Sequence, residues 1–356
     1  MGTEGLDLTL IWAMLIATAV FLYVVMDGFD LGIGILFTVI RDRDDRDVAV
    51  NTVAPVWDGN ETWLVLGGGG LLAVFPLAYA VVLPALYIPL ILMLLALVFR
   101  GVAFEMRFKA ETDAAQIWWD RGFWWGSTVA SFCQGITVGA FVQGIKVQGR
   151  AYAGGWWDWL TPFSLMTGVA LVFSYGLLGA CWLVWKTEGE LQDRVRVHAR
   201  WLGLITLSFI ALVSLVMPFL QPAFRERWFS FPNLLLASPV PVLVVVLAWR
   251  FYVALNDSED RALQGIRAEG QDLAPRDGLP FLCALGLFLL SYVGLGISMW
   301  PMIIPPAVTI WDAAAPRASQ AFLLAGAVVL IPIILAYTGY AYWLFRGKVR
   351  GGEGYH

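Results

Sequence analysis

Nine apolar runs of about 20 residues or more recur along this chain, each long enough to carry an α-helix across a hydrocarbon layer of about 30 Å. They fall at approximately 8–40, 52–75, 79–108, 118–145, 160–186, 198–220, 233–254, 280–303 and 319–346. So much buried length leaves little for anything else. Of 356 residues, 59% are hydrophobic and only 14% charged, and the mean hydropathy of +0.72 lies far above that of an ordinary soluble domain. The chain therefore reads as an all-α polytopic membrane protein, a single integral domain over residues 1–356 with nine transmembrane helices. The longest connection, Asn256 to Gly278, is charged and suits a short surface helix on the cytoplasmic side.

Lysine and arginine placement orients the helices, because cytoplasmic loops hold the excess of cations. With the N-terminus outside, the inner connections receive Arg41, Arg43, Arg46, Arg107, Lys109, Arg121, Lys186, Arg194, Arg196, Arg200, Arg250, Arg261, Arg267, Arg276, Arg346, Lys348 and Arg350. The outer side receives Lys146, Arg150, Arg225, Arg227 and Arg317. This asymmetry of about three to one specifies an external N-terminus and a cytoplasmic C-terminus. Arg100 remains as the one cation within a span. The first run lacks a basic region before it and a small-residue cleavage site, so it reads as a retained span.

Several residue types carry no chemistry on this reading. Cys133, Cys181 and Cys283 fall singly in apolar segments, with neither disulfide nor metal-ligand spacing. His198 sits at the edge of the sixth span and His356 at the chain terminus, so neither suits a cofactor buried at bilayer depth, and no metal site is expected. Tryptophans crowd near span ends, as in "QIWWDRGFWWG", where their amphipathic rings suit the headgroup region. The "LGGGGLL" run lacks the Lys-Ser/Thr of a phosphate loop and suits close helix packing. A net charge of -4, small and spread through the connections, points to no nucleic-acid partner.

The polar residues inside the spans are the informative ones. In "YVVMDGFDLGIGIL" of the first span, Asp27 and Asp30 share one helical face, about 15–20 Å from the cytoplasmic end. "PVWDGNETWLV" places Asp58 and Glu61 about 9–14 Å into the second span, and the third carries Arg100 about 12 Å deep with Glu105 nearer the surface. Six ionisable groups from three consecutive helices thus share one layer. A charge at bilayer depth costs about 3 kcal/mol on insertion scales and needs a compensating reason. The functional reading is a proton path reaching in from the cytoplasm. The structural one is an Asp58–Arg100 ion pair, with Asp27 and Asp30 stabilising an irregular glycine-containing turn.

These stretches also resemble a known family. "DGFDLGIGIL", "APVWDGNETWLVLGGGGL", "FRGVAFEMRFK", "MWPMIIPPAVTIWDA" and "LIPIILAYTGYAYW", in that order from the first span to the ninth, resemble subunit II of the cytochrome bd-type quinol oxidases. The resemblance implies two four-helix bundles plus one peripheral helix, in the bacterial cytoplasmic membrane, paired with a homologous haem-bearing subunit I. It implies that quinol is oxidised and oxygen reduced to water in that partner, which holds haem b and haem d, or b-type haems only in a cyanide-insensitive branch. This chain would then hold no catalytic residue and ligate no haem. It would stabilise subunit I and contribute a proton path through Asp27, Asp30, Asp58 and Arg100, with Glu61 and Glu105 compatible. A small single-span subunit and a bound structural quinone or lipid are compatible with the same family. The competing reading is a stand-alone proton-coupled transporter, which would carry matching polar sites in both halves of the chain.

Overall fold

The computed structural model describes residues 6–263 and 277–350, with side chains described outside 258–263. Helices dominate it. In chain order they are α1 (Leu8–Leu36), α2 (Arg43–Asn51), α3 (Trp57–Val74), α4 (Pro76–Ala85), α5 (Tyr87–Phe108) and α6 (Asp113–Gln143). A two-stranded hairpin follows, β1 (Val147–Gln148) with β2 (Ala151–Tyr152), and then α7 (Pro162–Lys186), α8 (Gly189–Leu220), α9 (Pro222–Phe229), α10 (Asn233–Ala237) and α11 (Pro239–Leu263). The chain closes with α12 (Leu279–Met299), the hairpin β3 (Met302–Ile304) and β4 (Val308–Thr309), α13 (Ile310–Ala313) and α14 (Arg317–Leu344).

Each of the nine expected runs overlaps a helix of at least 18 residues among the described residues, with differences that have local causes. The run expected as one helix over 79–108 is split at Leu86 into α4 and α5, and α4 begins directly after α3. Pro84 and Pro89 bracket the break, and proline removes a backbone donor and clashes with the preceding turn. The sixth span begins earlier than 198, because the polar stretch "GELQDRVRV" extends α8 back to Gly189. α11 runs on to Leu263, and the rest of the surface helix expected there lies outside the described residues. His356 does too.

Seven helical segments of the described chain are long and apolar enough to cross a membrane: α1, α5, α7, α8, the stretch Asn233–Asp257 running through α10 into α11, α12 and α14. α6, with 31 residues, is as long but more polar, and α3, with 18, is both shorter and more polar. α3 carries Asp58, Asn60, Glu61 and four consecutive glycines, and α6 carries Asp113, Asp120, Arg121 and three glutamines.

The helices pack in two sets. α1 lies against α3, α6 and α7, and α5 lies along α6. α7, α8, α11 and α12 form a ring in which each touches the next. α14 touches only α1 and α3 appreciably, and almost all of its surface is exposed. The sets join where α1 crosses α7 at glycine on both sides. A Cβ on Gly32 would lie 2.0 Å from the Tyr175 carbonyl oxygen, and one on Gly179 would lie 2.5 Å from the Gly32 carbonyl carbon. Small residues let the two backbones touch. This is the work of the glycines in "DGFDLGIGIL": α1 is one continuous helix, not the irregular turn of the structural reading. The four-glycine run of α3 divides likewise, Gly67 and Gly70 meeting Val20 and Ile16 of α1 while Gly68 and Gly69 face open space.

Candidate functional site

Arg100 is the centre of the buried charge. Its side chain is fully enclosed, placed there by the close approach of α5 to α6 at Gly126, where a Cβ would lie 2.8 Å from that of Arg100. One guanidinium nitrogen donates to Asp27 Oδ1 at 3.1 Å and another to Glu61 Oε1 at 2.7 Å, and the guanidinium lies 5.4 Å from the ring centre of Trp57. Three helices are thereby tied through one cation. Arginine suits the position because its planar fork serves two carboxylates at once and is less strongly hydrated than an ammonium.

Asp30, one turn along α1, has no cation of its own. Its Oδ2 accepts from the Asn60 amide at 2.7 Å, and Asn60 in turn accepts at Oδ1 from the Tyr342 hydroxyl at 2.8 Å. Tyr342 brings the end of α14 into the site. On the other side, the Tyr23 hydroxyl stands beside Asp27 and accepts from Gln134 Nε2 at 2.6 Å, while Gln134 Oε1 accepts from the Tyr175 hydroxyl at 2.7 Å. Three buried polar atoms within this network have no hydrogen-bond partner among the described residues: Asp27 Oδ2, Asp30 Oδ1 and Arg100 Nε. Buried polar groups are nearly always satisfied, so such a concentration marks a place where polarity serves something besides packing.

The six residues singled out from sequence thus separate. Asp27, Asp30, Glu61 and Arg100 come together, while Asp58 and Glu105 are exposed on the outer faces of α3 and α5. Asp58 stands close enough to Glu61 for their charges to interact. Arg100 pairs with Glu61 and Asp27, not with Asp58 as the structural reading had it. Exposure rises along this line, from Asp27 and Asp30 at 0% through the Glu61 side chain at 28% to exposed Asp58. Tyr23, Asn60, Gln134, Tyr175 and Tyr342 were not expected, because neutral polar residues do not stand out in an apolar run.

A second charged network lies at the far end of α1. Asp120 of α6, nearly buried, accepts from Arg107 at 2.6 Å and from Arg46 at 2.9 Å, and Arg107 also pairs with Asp47 at 2.6 Å. Arg46 donates besides to the carbonyls of Ile40 at 2.7 Å and Phe37 at 3.0 Å, just past the last turn of α1. Arg43 pairs with Asp113, and Arg194 with Asp45. At the opposite end, Lys146 pairs with Asp158. There the Trp311 indole donates to Asp7, the residue capping α1, and holds its carboxyl below the usual carboxylate range. Among the described residues no three His, Cys, Asp or Glu side chains form a group that could hold a metal ion, and His198 is half-buried near the start of α8.

Fold and site together define a polytopic helical membrane protein with a buried cluster of charged side chains in one of its two helix sets. The model of the family described as cytochrome bd terminal oxidase subunit II matches residues 8–345, and the chain belongs to that family. It is 31% identical to cytochrome bd-I ubiquinol oxidase subunit 2 of Escherichia coli (strain K12), over 96% of this chain and 95% of that protein. It is 27% identical to cytochrome bd ubiquinol oxidase subunit 2 of Bacillus subtilis (strain 168), over 96% and 97%. The fold matches a chain in the structure of the bd oxidase from Geobacillus thermodenitrificans with a TM-score of 0.71 at 16% identity, over 95% of this chain and 99% of that one. This chain is accordingly a subunit of a quinol oxidase complex, a respiratory oxidoreductase of the bacterial cytoplasmic membrane, and a subunit II implies a partner subunit I.

Proposed function

We propose that this chain stabilises a haem-bearing subunit I and supplies it with cytoplasmic protons, quinol being oxidised and oxygen reduced to water in the partner. The observation that carries the reading is the ionic line from fully buried Asp27 through Arg100 to half-buried Glu61, ending beside exposed Asp58. An acid exposed at bilayer depth would be costly against lipid, so a protein partner covers it. The face it lies on suits docking. Asp58, Gly59, Thr62, Val65, Gly68, Gly69 and Leu72 are all exposed on α3, next to the scarcely packed α14. On this reading the relay opens onto the partner through α3, with Glu105 at the margin of the same layer.

The same proposal takes all nine long helices as spans, with the N-terminus outside, and reads the two packed sets as four-helix bundles with α14 peripheral. The location of the dense ionic network at one end and the sparse pairs at the other supports that orientation. It also places haem b and haem d, or b-type haems alone, in subunit I, with no haem ligated here. The transporter reading is less well supported, because among the described residues the spans of α7, α8, α11 and α12 carry no cluster to match that of α1, α3 and α5.

The test is Asp58→Asn in the intact complex. Turnover slowed at least several-fold with haem content unchanged supports proton delivery. Unchanged turnover in an assembled complex leaves the charge line a structural one.

A further inference from the structure

Asp27 and Asp30 lie three residues apart on one face of one helix, and both are completely buried, yet their surroundings differ in kind. Asp27 is bonded to a permanent cation, Arg100. It also has Tyr23 beside it, and the wiring behind Tyr23 sets which way that hydroxyl points. Gln134 has one donating and one accepting end. With Nε2 toward Tyr23 and Oε1 toward Tyr175, the Tyr23 oxygen accepts from the amide and its own proton is free to point at Asp27. The chain Tyr175 to Gln134 to Tyr23 is then polarised in one direction, every donor aimed toward Asp27. The opposite orientation of the amide would draw the Tyr23 proton away and leave Asp27 with Arg100 alone.

Asp30 has no such support. Its one bonded donor is the neutral amide of Asn60, and its Oδ1 is unpartnered. The groups that face it are Asp27 on its own helix, Asn60 and Glu61 of α3, Arg100 of α5 and Tyr342 of α14. Arg100 is already bonded to two other carboxylates. Three carboxylates around one guanidinium leave an excess negative charge, and a buried charge without a partner is the costliest arrangement open to the cluster.

Resting on the proton-path reading, we propose that the two aspartates divide the work. Asp27 is a fixed anion held by Arg100 and by a donor chain that Gln134 orients, and Asp30 is the carboxyl that carries the exchangeable proton. The Asp30 carboxylate takes the proton from a hydronium ion, its O–H bond forming as one O–H bond of the hydronium breaks and neutral water leaves, and it returns the proton to a water molecule on the side of Glu61, becoming a carboxylate again. Asp27 and Arg100 keep their charges throughout. Gln134 is a positioning residue, acting on Asp27 only through Tyr23.

Infrared spectroscopy of the purified complex in H2O and D2O tests this. A protonated-carboxyl C=O band that shifts in D2O should be present in the wild type and absent from Asp30→Asn, so that it stands as a positive feature in the wild type minus Asp30→Asn difference; Asp27→Asn should keep that band and lose carboxylate bands instead. Gln134→Leu and Tyr23→Phe should each make a second protonated-carboxyl band appear, which a purely structural loss of packing would not do. Where Asp30→Asn fails to assemble, Asp30→Glu keeps a carboxyl and should shift the band. A band that survives every Asp30 variant, or vanishes with Asp27→Asn, overturns the division, as does a Gln134→Leu spectrum identical to wild type. If the band is lost in Asp30→Asn but turnover is unaffected, the division of roles stands and the proton-path reading falls.

Discussion

Removing Arg100 should be the most damaging single change in the charged layer, and removing Asp27 with it should undo most of the damage. Arg100→Met keeps the length and apolar stem of the side chain but leaves Asp27, at 0% exposure, without its cation. Removing one member of a buried pair costs about 3–5 kcal/mol, because the charge left behind is uncompensated. That is roughly a hundredfold to a thousandfold or more in the ratio of assembled to unfolded protein. Glu61 adds less to the loss, since a side chain already 28% exposed can turn outward. Asp27→Asn alone is milder, about 1–3 kcal/mol, because Arg100 keeps Glu61 at 2.7 Å. In the double variant no unpaired charge remains buried between α1 and α5, so the two losses should offset by about 2 kcal/mol or more. The assay is the thermal midpoint of the purified complex, followed by size-exclusion chromatography after heating, on wild type, both single variants and the double. The expected order is wild type, then the double variant and Asp27→Asn, with Arg100→Met lowest. A wild-type midpoint for Arg100→Met, or a double variant below the Arg100 single, would refute the claim that this ion pair is paying for the burial of Asp27.

Further variants probe the frame around the site. Gly32→Ala would put a methyl group 2.0 Å from the Tyr175 carbonyl, forcing α1 and α7 apart by about 1 Å, and should sharply lower the yield of folded chain in membranes. Gly176→Ala, on the same α7 but meeting nothing nearer than 3.6 Å, should leave that yield unchanged. Asp120→Asn leaves Arg46 and Arg107 without their shared carboxylate and should lower the thermal midpoint by several degrees. Because Asp120 is nearly buried, that loss should persist in high salt, whereas a surface pair would be screened in both proteins alike.

The parts of this fold that could be read from the sequence are those carried by composition over a long window. The apolar runs became helices, seven of them among the described residues long and apolar enough to cross a membrane, because neighbours could not override so strong a signal. What a window cannot resolve is a single residue's effect on the backbone, so the break at Leu86 between Pro84 and Pro89 was missed. Within the site, Asp27, Asp30, Glu61 and Arg100 stood out because charge is rare in such runs. Their partners did not. Asn60 bonds Asp30 through a neutral amide, Gln134 reaches Asp27 only by way of Tyr23, and Tyr342 arrives from the other end of the chain, 282 positions beyond Asn60. The i, i+3 spacing of Asp58 and Glu61 suggested one face, yet three residues advance a helix by only about 300°, and that offset of roughly 60° turned Glu61 inward and Asp58 out. The network of Arg46, Arg107, Asp47 and Asp120 was visible only as loop charge, since nothing in "RDRDDRD" says which of its residues reaches across to α6.

That network bears on the proposed proton relay, although it lies at a distance from it. α1 is one unbroken helix of 29 residues, so its orientation at Asp27 and Asp30 follows from how it is held elsewhere. Beyond its last turn, Arg46 bonds to the carbonyls of Phe37 and Ile40 and to Asp120, tying the segment after α1 to α6. At its first turn, Asp7 is fixed by the Trp311 indole. Between them, Gly32 sits backbone to backbone on α7, which fixes its height. With three such restraints a helix can neither slide nor rotate by the fraction of a turn that would trade the surroundings of Asp27 for those of Asp30. The proposed division of work between two carboxylates one turn apart requires that rigidity, since distances of 2.7 Å from Asp30 to Asn60 and 3.1 Å from Asp27 to Arg100 would not survive a shift of about 1 Å.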